Sequence, residues 1–488
     1  MSPENRRCPG ELCSLIFQVM KKMARVWLRI LLLIVAIQPI GGKIFAQQAT
    51  PFAGDSTANS KNLLRFGKFS GHARVYAMGT NNRDDLTDYF GVAAGAGLGY
   101  RSPSFLGFDA GFSGFMIFNL ASSDFSVRDS VTGSPNRYEI GLFDIENPKN
   151  DDNLDRTEEL FIRWRKGEVF SILYGRFLPR SPMINPQDGR MSPTFAQGLW
   201  LEAGPKEKWR VQAGWLNGFS PRSTVHWYST AESIGVYPSG LNPDGTKSDY
   251  KGNIETQGVF IGAVEGRLGK YLRGQVWNYF TENISNTVWA EMTAEYALPL
   301  GITVYSGLQA MRQDALADGG NADQSKTYFE KNGHSEMFGV RLGARTETRN
   351  IHVNYTRITS SGRYLMPREW GRDPFYTFLM RERNEGLGDV HAFSLHAEAT
   401  QKNWRFAVGA GYYDLPDALD ARLNKYALPS YVQANVMVRY RFHNMLEGLE
   451  GMFLVVHKFG VGETYGKPGL EFNKVDMTLV NLVFDYYF

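Results

Sequence analysis

Alternation with period two runs through most of the chain. "NVMVRYRF" sets Val436, Val438, Tyr440 and Phe442 on one face and Met437, Arg439 and Arg441 on the other. "FGVRLGAR" sets Phe338, Val340, Leu342 and Ala344 opposite Arg341, Gly343 and Arg345. "WAEMTAEYAL" and "WRVQAGW" repeat the pattern, with Glu291, Glu295, Arg210 and Gln212 on their polar faces. Side chains of a strand alternate between two faces, so each run is an amphipathic strand. The chain ends on another, "NLVFDYYF": Val480, Leu482, Phe484, Tyr486 and Phe488 share one face, opposite Asn481, Asp485 and Tyr487. Two segments alternate ambiguously, "VFSILYGRF" (169–177) and "GVFIGAVEG" (258–266), so the side taken by Arg176 stays open.

The connections alternate in length. Short ones fall at Arg101–Ser104, Lys166–Glu168, Gly204–Lys208, Arg267–Lys270, Leu298–Gly301, Thr346–Asn350, Thr400–Asn403 and Asn444–Gly451. Between them lie longer or more polar stretches, at 79–88, 119–157, 178–195, 217–257, 281–286, 312–336, 359–390, 414–430 and 460–474. Short turns on one rim and long loops on the other make an all-β, transmembrane, antiparallel up-and-down β-barrel. About eighteen strands are expected, an even number with both chain ends on the short-turn rim. Such a barrel is too wide for wall side chains alone to fill. Its apolar face meets lipid, and closure removes the open edges that lipid does not tolerate. Tyr76, Tyr100, Trp164, Trp277 and Tyr412 are candidates for the aromatic girdle.

The N-terminus supplies the compartment. Lys21, Lys22, Arg25 and Arg29 precede the apolar run Ile30–Ile37, and Ala46 ends a small-residue cleavage site. The expected organisation is a signal peptide over 1–46, a periplasmic stub over 47–66 and the barrel over 67–488. Met20 and Met23 are alternative starts, which would make residues 1–19 an over-long N-terminus. Both cysteines, Cys8 and Cys13, fall in the leader, so the mature chain has no thiol chemistry. The leader also holds seven of the 53 basic residues and two of the 50 acidic ones, leaving 46 against 48. That balance gives no support to a nucleic-acid partner. A mean hydropathy of −0.32 with 14% aromatic residues is what lipid-out, water-in strands produce.

Consecutive strands are neighbours in a meander. Arg341 and Arg345, then His352 and Asn354, His396 and Glu398, Arg405, and Arg439 and Arg441 therefore point inward along one wall. A ladder of guanidinium groups, each a fixed charge with a fork of donors, would draw carboxylates through. The alternative is that these arginines pair with inward Glu291, Glu295, Glu398 and Asp485 and hold the wall. The stretch 178–195 is stiffened by Pro179, Pro182, Pro186 and Pro193. If it folds inward, Arg180, Asp188 and Arg190 sit at a constriction; if not, it is a surface loop. The basic, aromatic loop 360–389 lines an entrance or is simply solvated.

The strand count, the third long loop and the arginine-bearing late strands resemble the OprD family of substrate-specific outer-membrane porins. That family carries a D-x-R…P…T-F…G pattern in its third loop. Asp188, Arg190, Pro193, Thr194, Phe195 and Gly198 are similar, with Pro193 and Phe195 shifted one step. "ARVYAMGTNNRDD" and "GLGYRSPSFLGFDAGF" resemble its first hairpin. The resemblance implies passive diffusion of small carboxylate-containing solutes in the bacterial outer membrane. It implies Arg341, Arg439 and Arg441 as ladder residues, Asp188 and Arg190 at the constriction, and no cofactor, metal or catalytic residue. A terminal phenylalanine resembles the signal read by the barrel-assembly machinery, which makes Phe488 its contact. Monomer and trimer both stay open.

Three rival functions have weaker support. A barrel enzyme needs a nucleophile or activated water beside a His and an acid, and no G-x-S-x-G motif or such pairing stands out. A gated transporter needs a plug ahead of the barrel, longer than the stub. A closed structural or adhesive barrel would need large packed residues inside. Inward Gly214, Gly343, Gly409 and Gly411 suggest open space instead.

Overall fold

The computed structural model describes residues 67–187, 190–205 and 208–488. The expected leader and stub over 1–46 and 47–66 lie outside the described residues, as does Asp188.

Among the described residues there are nineteen strands. The first half comprises β1 (Lys68–Asn81), β2 (Tyr89–Arg101), β3 (Phe108–Ser122), β4 (Leu154–Lys166), β5 (Phe170–Phe177), β6 (Phe195–Ala203), β7 (Trp209–Ser220), the two-residue β8 (Tyr228–Ser229), β9 (Val259–Arg267) and β10 (Leu272–Thr281). The second half comprises β11 (Ser285–Ala297), β12 (Thr303–Ala315), β13 (His334–Arg345), β14 (Arg349–Ile358), β15 (Val390–Gln401), β16 (Trp404–Asp414), β17 (Tyr431–Arg441), β18 (Leu449–Gly460) and β19 (Met477–Tyr487). β8 pairs only with Gly218 and Phe219 of β7. The other eighteen form one antiparallel meander, with β7 pairing directly to β9. β19 closes on β1, from Asn81 opposite Thr478 to His72 opposite Tyr487. Every strand of the meander therefore has two hydrogen-bonded neighbours, which is what a lipid environment demands of a sheet.

Turn chemistry places the rims. The connections after β2, β4, β6, β9, β11, β13, β15 and β17 are short, and the rest are mostly long. β1 begins and β19 ends at the short-turn rim. Phe488 is tied there to Gly71 by two backbone hydrogen bonds, 2.8 and 3.1 Å. A Cβ added at Gly71 would lie 2.0 Å from the Phe488 ring. Gly71→Val is therefore expected to expel that ring and lower the temperature at which the barrel shifts in a heat-modifiability gel. An unchanged shift would mean that the closing contact adds nothing to stability.

Faces follow the alternation. Phe338 and Leu342 are exposed on the outer face of β13 while Arg341 and Arg345 point inward. Phe484 and Phe488 belong to the outer face of the last strand, and Asn481 and Asp485 to the inner. Of the girdle candidates, Tyr100 packs on Phe69, Trp164 on Phe108, and Tyr412 is exposed. Tyr76 and Trp277 depart from that expectation: both are buried on the inner face. Their rings are apolar in a part of the lumen that turns out to be apolar too. Arg176 shares the outer face of β5 with Ile172 and Tyr174, held by Gln197 at 3.0 Å and by the Trp227 ring.

Candidate functional site

The lumen is not a bare tube. The loop 359–389, between β14 and β15, leaves the wall and crosses the interior, bonded to one strand after another. The side chain of Gln313 on β12 bonds both backbone groups of Leu365, at 2.6 and 2.9 Å. Gln309 donates to the Pro374 carbonyl at 2.9 Å. Tyr413 on β16 donates to the Thr377 carbonyl, and Gln433 on β17 to that of Met380. Lys458 on β18 donates to the Arg381 carbonyl at 3.0 Å. The Arg381 guanidinium then reaches Tyr76 on β1 and Asn481 on β19, at 2.8 and 2.9 Å. A buried loop must satisfy its backbone polar groups, and this one does so largely on inward Gln, Asn and Lys side chains of the wall.

The proline-rich segment 178–194 also turns inward. Met183 bonds the Tyr279 hydroxyl, Asn185 the Trp370 carbonyl and the Gln187 side chain the Arg368 carbonyl. Trp370 stacks on Phe219 at 4.7 Å. Together the two loops build an apolar mass against β5 to β17 that includes Trp277, Trp289, Met337 and Phe375. A second apolar group lies against β1 to β4 and β17 to β19, with Leu142, Phe143 and Met191 from the loops.

Inward glycines do not leave open space, contrary to the expectation from sequence. A Cβ at Gly214 would meet the Trp200 ring at 2.6 Å, one at Gly343 the Tyr305 ring at 2.3 Å, and one at Gly409 the Leu379 side chain at 2.6 Å. The glycines make room for their large neighbours.

All five expected ladder arginines face the lumen, but four carry wall carboxylates. Arg345 pairs with Glu295 at 2.5 Å and Arg405 with Glu398 at 2.7 Å. Arg439 and Arg441 share Glu450, at 2.9 and 3.0 Å. Arg341 bonds Asn354 at 2.9 Å and lies 4.0 Å over the Tyr376 ring, so the crossing loop covers it. Glu291 accepts from Gln275 and Gln309 instead of an arginine. Of the constriction candidates, Arg180 is exposed, and Arg190 is buried with its carbonyl accepting from Arg74 at 2.5 Å.

A second set of cations runs down the wall formed by β17, β18, β19 and β1. Near the long-loop rim are Lys474 and Arg137, the latter donating to the Asn473 carbonyl. Lys458 follows, 4.5 Å over the Tyr431 ring, then Arg381. Arg74 comes next, bonded to Asp485 at 2.6 Å, and Arg439 and Arg441 end the run at the short-turn rim. Two loop groups register the field. Burial pushes the Tyr138 hydroxyl up, yet Arg137, Lys458, Arg381 and Arg190 outweigh it and hold its pKa below the ordinary value. Burial, with Arg137 adding to it, pulls Lys474 down to about 8. Arg74 and Lys458 were within reach of sequence: alternation sets His72, Arg74 and Tyr76 opposite Ala73 and Val75, and Lys458 beside Val456. Arg137 and Arg381 lie in loops, where no period marks a face.

No protein-family model matches the chain, and no curated protein is similar to it at a significant level. Solved structures are similar in fold. OccK9 (OpdG) of Pseudomonas aeruginosa matches with a TM-score of 0.67 at 13% identity, over 86% of this chain and 97% of that one. OpdK of the same organism, solved with vanillate, matches at 0.63 and 13%, over 86% and 98%. OccK2 (OpdF), solved in complex with glucuronate, matches at 0.62 and 12%, over 86% and 97%. The likeness spans the whole barrel and establishes its architecture.

Proposed function

We propose that this chain is an outer-membrane porin of the OprD type, through which small hydrophilic solutes bearing a carboxylate diffuse passively. The observation that carries the reading is the continuous run of cations from Lys474 and Arg137 through Lys458, Arg381 and Arg74 to Arg439 and Arg441, beside two inward loops that narrow the lumen. Successive guanidinium and ammonium groups offer an anion charge-assisted hydrogen bonds at each step, each replaceable by the next. Vanillate and glucuronate, bound in two structures of like fold, are both carboxylates. Within this reading Arg190, with Arg180 of the same loop, flanks the narrowest part. Arg341, Arg345 and Arg405 belong to the opposite wall, where the first two steady Tyr376 and Glu295 and the third Glu398. Phe488 serves recognition by the barrel-assembly machinery, and the outer apolar belt seats the barrel in outer-membrane lipid.

Single-channel recording in a planar bilayer under a salt gradient tests this. The wild type is expected to prefer anions. Arg381→Gln should cut the permeability ratio by roughly fivefold, since a charge about 4 Å from a passing ion is worth about 1 kcal/mol in water. Arg345→Gln with Arg405→Gln should change it far less, because these two lie on the opposite wall beside Glu295 and Glu398. The fully buried Tyr364, Trp370 and Tyr413 inside the barrel favour a second reading, a closed structural barrel. A folded protein that gives no conductance steps would decide for it.

A further inference from the structure

The outer loops enclose a cavity that the passage does not use. It measures about 410 Å³ and lies among the loops 221–258, 316–333, 359–389 and 415–430. Sites for small ligands are typically about 300–1,000 Å³, so it suits a small molecule. Its lining carries Lys331, Arg363, Arg422 and Lys425, the last paired with Glu385 at 3.5 Å, against two lining carboxylates, Asp244 and Glu330.

Arg363 is the group that sets its chemistry. The side chain is more than nine-tenths buried. Its Nε donates to the Arg422 carbonyl at 3.1 Å and its Nη1 to the Leu241 carbonyl at 2.6 Å. These two bonds fix the plane of the guanidinium. Its Nη2 has no acceptor, and no carboxylate lies within ion-pair distance of Arg363 among the described residues. A buried, oriented donor without an acceptor is costly unless something else supplies one. Lys331 is occupied by Asp318 at 2.9 Å, whereas Arg422 is exposed at the mouth. Asn242, Ser248 and Gln324 add neutral donors and acceptors, and Tyr328 and Phe329 add ring surface.

We propose that this cavity is a capture site for a hydroxylated organic carboxylate, with the carboxylate on Arg363 and Arg422 and the hydroxyls on the amide and hydroxyl side chains. It is separate from the cation run on β17 to β1 and does not depend on whether the barrel conducts.

Equilibrium dialysis of the detergent-solubilised full barrel against labelled gluconate tests it, with sorbitol as the neutral counterpart. Gluconate should bind saturably, more weakly as salt is added, and sorbitol should bind at least about tenfold more weakly. Arg363→Gln should weaken gluconate by about tenfold, the effect of losing a charge-assisted hydrogen bond. Arg363 also ties two loops together, so its variant needs a heat-modifiability check. Should it misfold, Arg422→Gln, whose side chain is exposed, decides the matter with a smaller but clear loss of affinity. Arg128→Gln, on an exposed loop away from the cavity and the cation run, should leave gluconate binding unchanged. No gluconate binding to the wild type, equal binding of sorbitol, or binding that folded Arg363→Gln and Arg422→Gln leave unchanged would each overturn the proposal. The conductance experiment stands apart, so failure of the capture site and failure of the porin reading can be told from one another.

Discussion

Excising residues 366–384 and bridging the gap with a short Gly-Ser linker should raise single-channel conductance severalfold. The geometry makes the excision practicable. Tyr364 and Leu387 are bonded across the loop stem at 2.9 Å, and Gly386 to Tyr364 at 2.7 Å, so the two cut ends start as neighbours. What leaves the lumen is Trp370, Phe375, Tyr376 and Leu379, all buried, together with the Thr377, Met380 and Arg381 carbonyls that bond the wall. What remains is eighteen strands whose hydrogen bonds are internal to the wall, and a barrel of that width encloses an aqueous channel. Gel shift on heating would show that the barrel is intact. An intact barrel with unchanged conductance would place the narrowest part elsewhere, in the segment 178–194.

Glu385→Ala should loosen the outer loops, whereas Lys425→Met should leave them as firm as before or firmer. Lys425 is almost fully buried, its ammonium within 4.6 Å of the Tyr328 ring centre, 4.8 Å of Tyr250 and 5.5 Å of Tyr426. Glu385 lies 3.5 Å from both Lys425 and Arg368 and accepts from the Tyr426 hydroxyl at 2.7 Å. Removing Glu385 strands two buried cations, which costs about 3–5 kcal/mol. Removing Lys425 leaves Glu385 with Arg368, and trading a buried charge for a packed thioether is often neutral or favourable. The readout is the rate of proteolysis in the outer loops, with the barrel itself intact.

The same lysine sets a pH dependence. Burial, with Arg368 and Arg363 nearby, pulls its pKa down to about 8 from an ordinary 10.5, although Glu385 opposes the shift. The opened loops therefore bind more protons than the packed ones between those two values, so loop stability rises with pH across that window. Below about pH 8 the full penalty for burying the charge is present. Protection of wild-type loops should increase from pH 8 to pH 10, and the Lys425→Met variant should lose this particular rise. Equal pH profiles would mean that Lys425 releases its proton at the same pH in the packed and the opened loops.

Strand positions, rims and most faces were legible in the sequence because lipid and water impose opposite demands on successive residues. The ambiguous runs were ambiguous for a physical reason. On β5 the outward set includes Arg176, a charge covered by Gln197 and Trp227, so polarity no longer reports the face. Tyr76 and Trp277 show the converse. Alternation separates two faces but does not say which is apolar because of lipid and which because a loop packs on it. Period two put the five ladder arginines on one face with Glu295 and Glu398, and Arg345 and Arg405 pair with those two carboxylates, but it does not supply the register between strands. Glu450 is the clearest case: it meets Arg439 and Arg441 only because β17 and β18 pair Arg441 with Glu450. The crossing loop left a trace in its Trp, Tyr, Phe and Leu content, but nothing in sequence said that it lay inside.

The uneven pairing of charge along the axis has an electrical consequence. Within the cation run, Asp485 and Glu450 pair with Arg74, Arg439 and Arg441 toward the short-turn rim, while Arg137, Lys474 and Lys458 toward the long-loop rim donate to backbone carbonyls. A pore with fixed charge weighted to one mouth accumulates anions there and depletes them at the other, so its current–voltage curve bends. Under the porin reading the current is therefore expected to rectify, and the sign of the bend to report which rim faces which compartment.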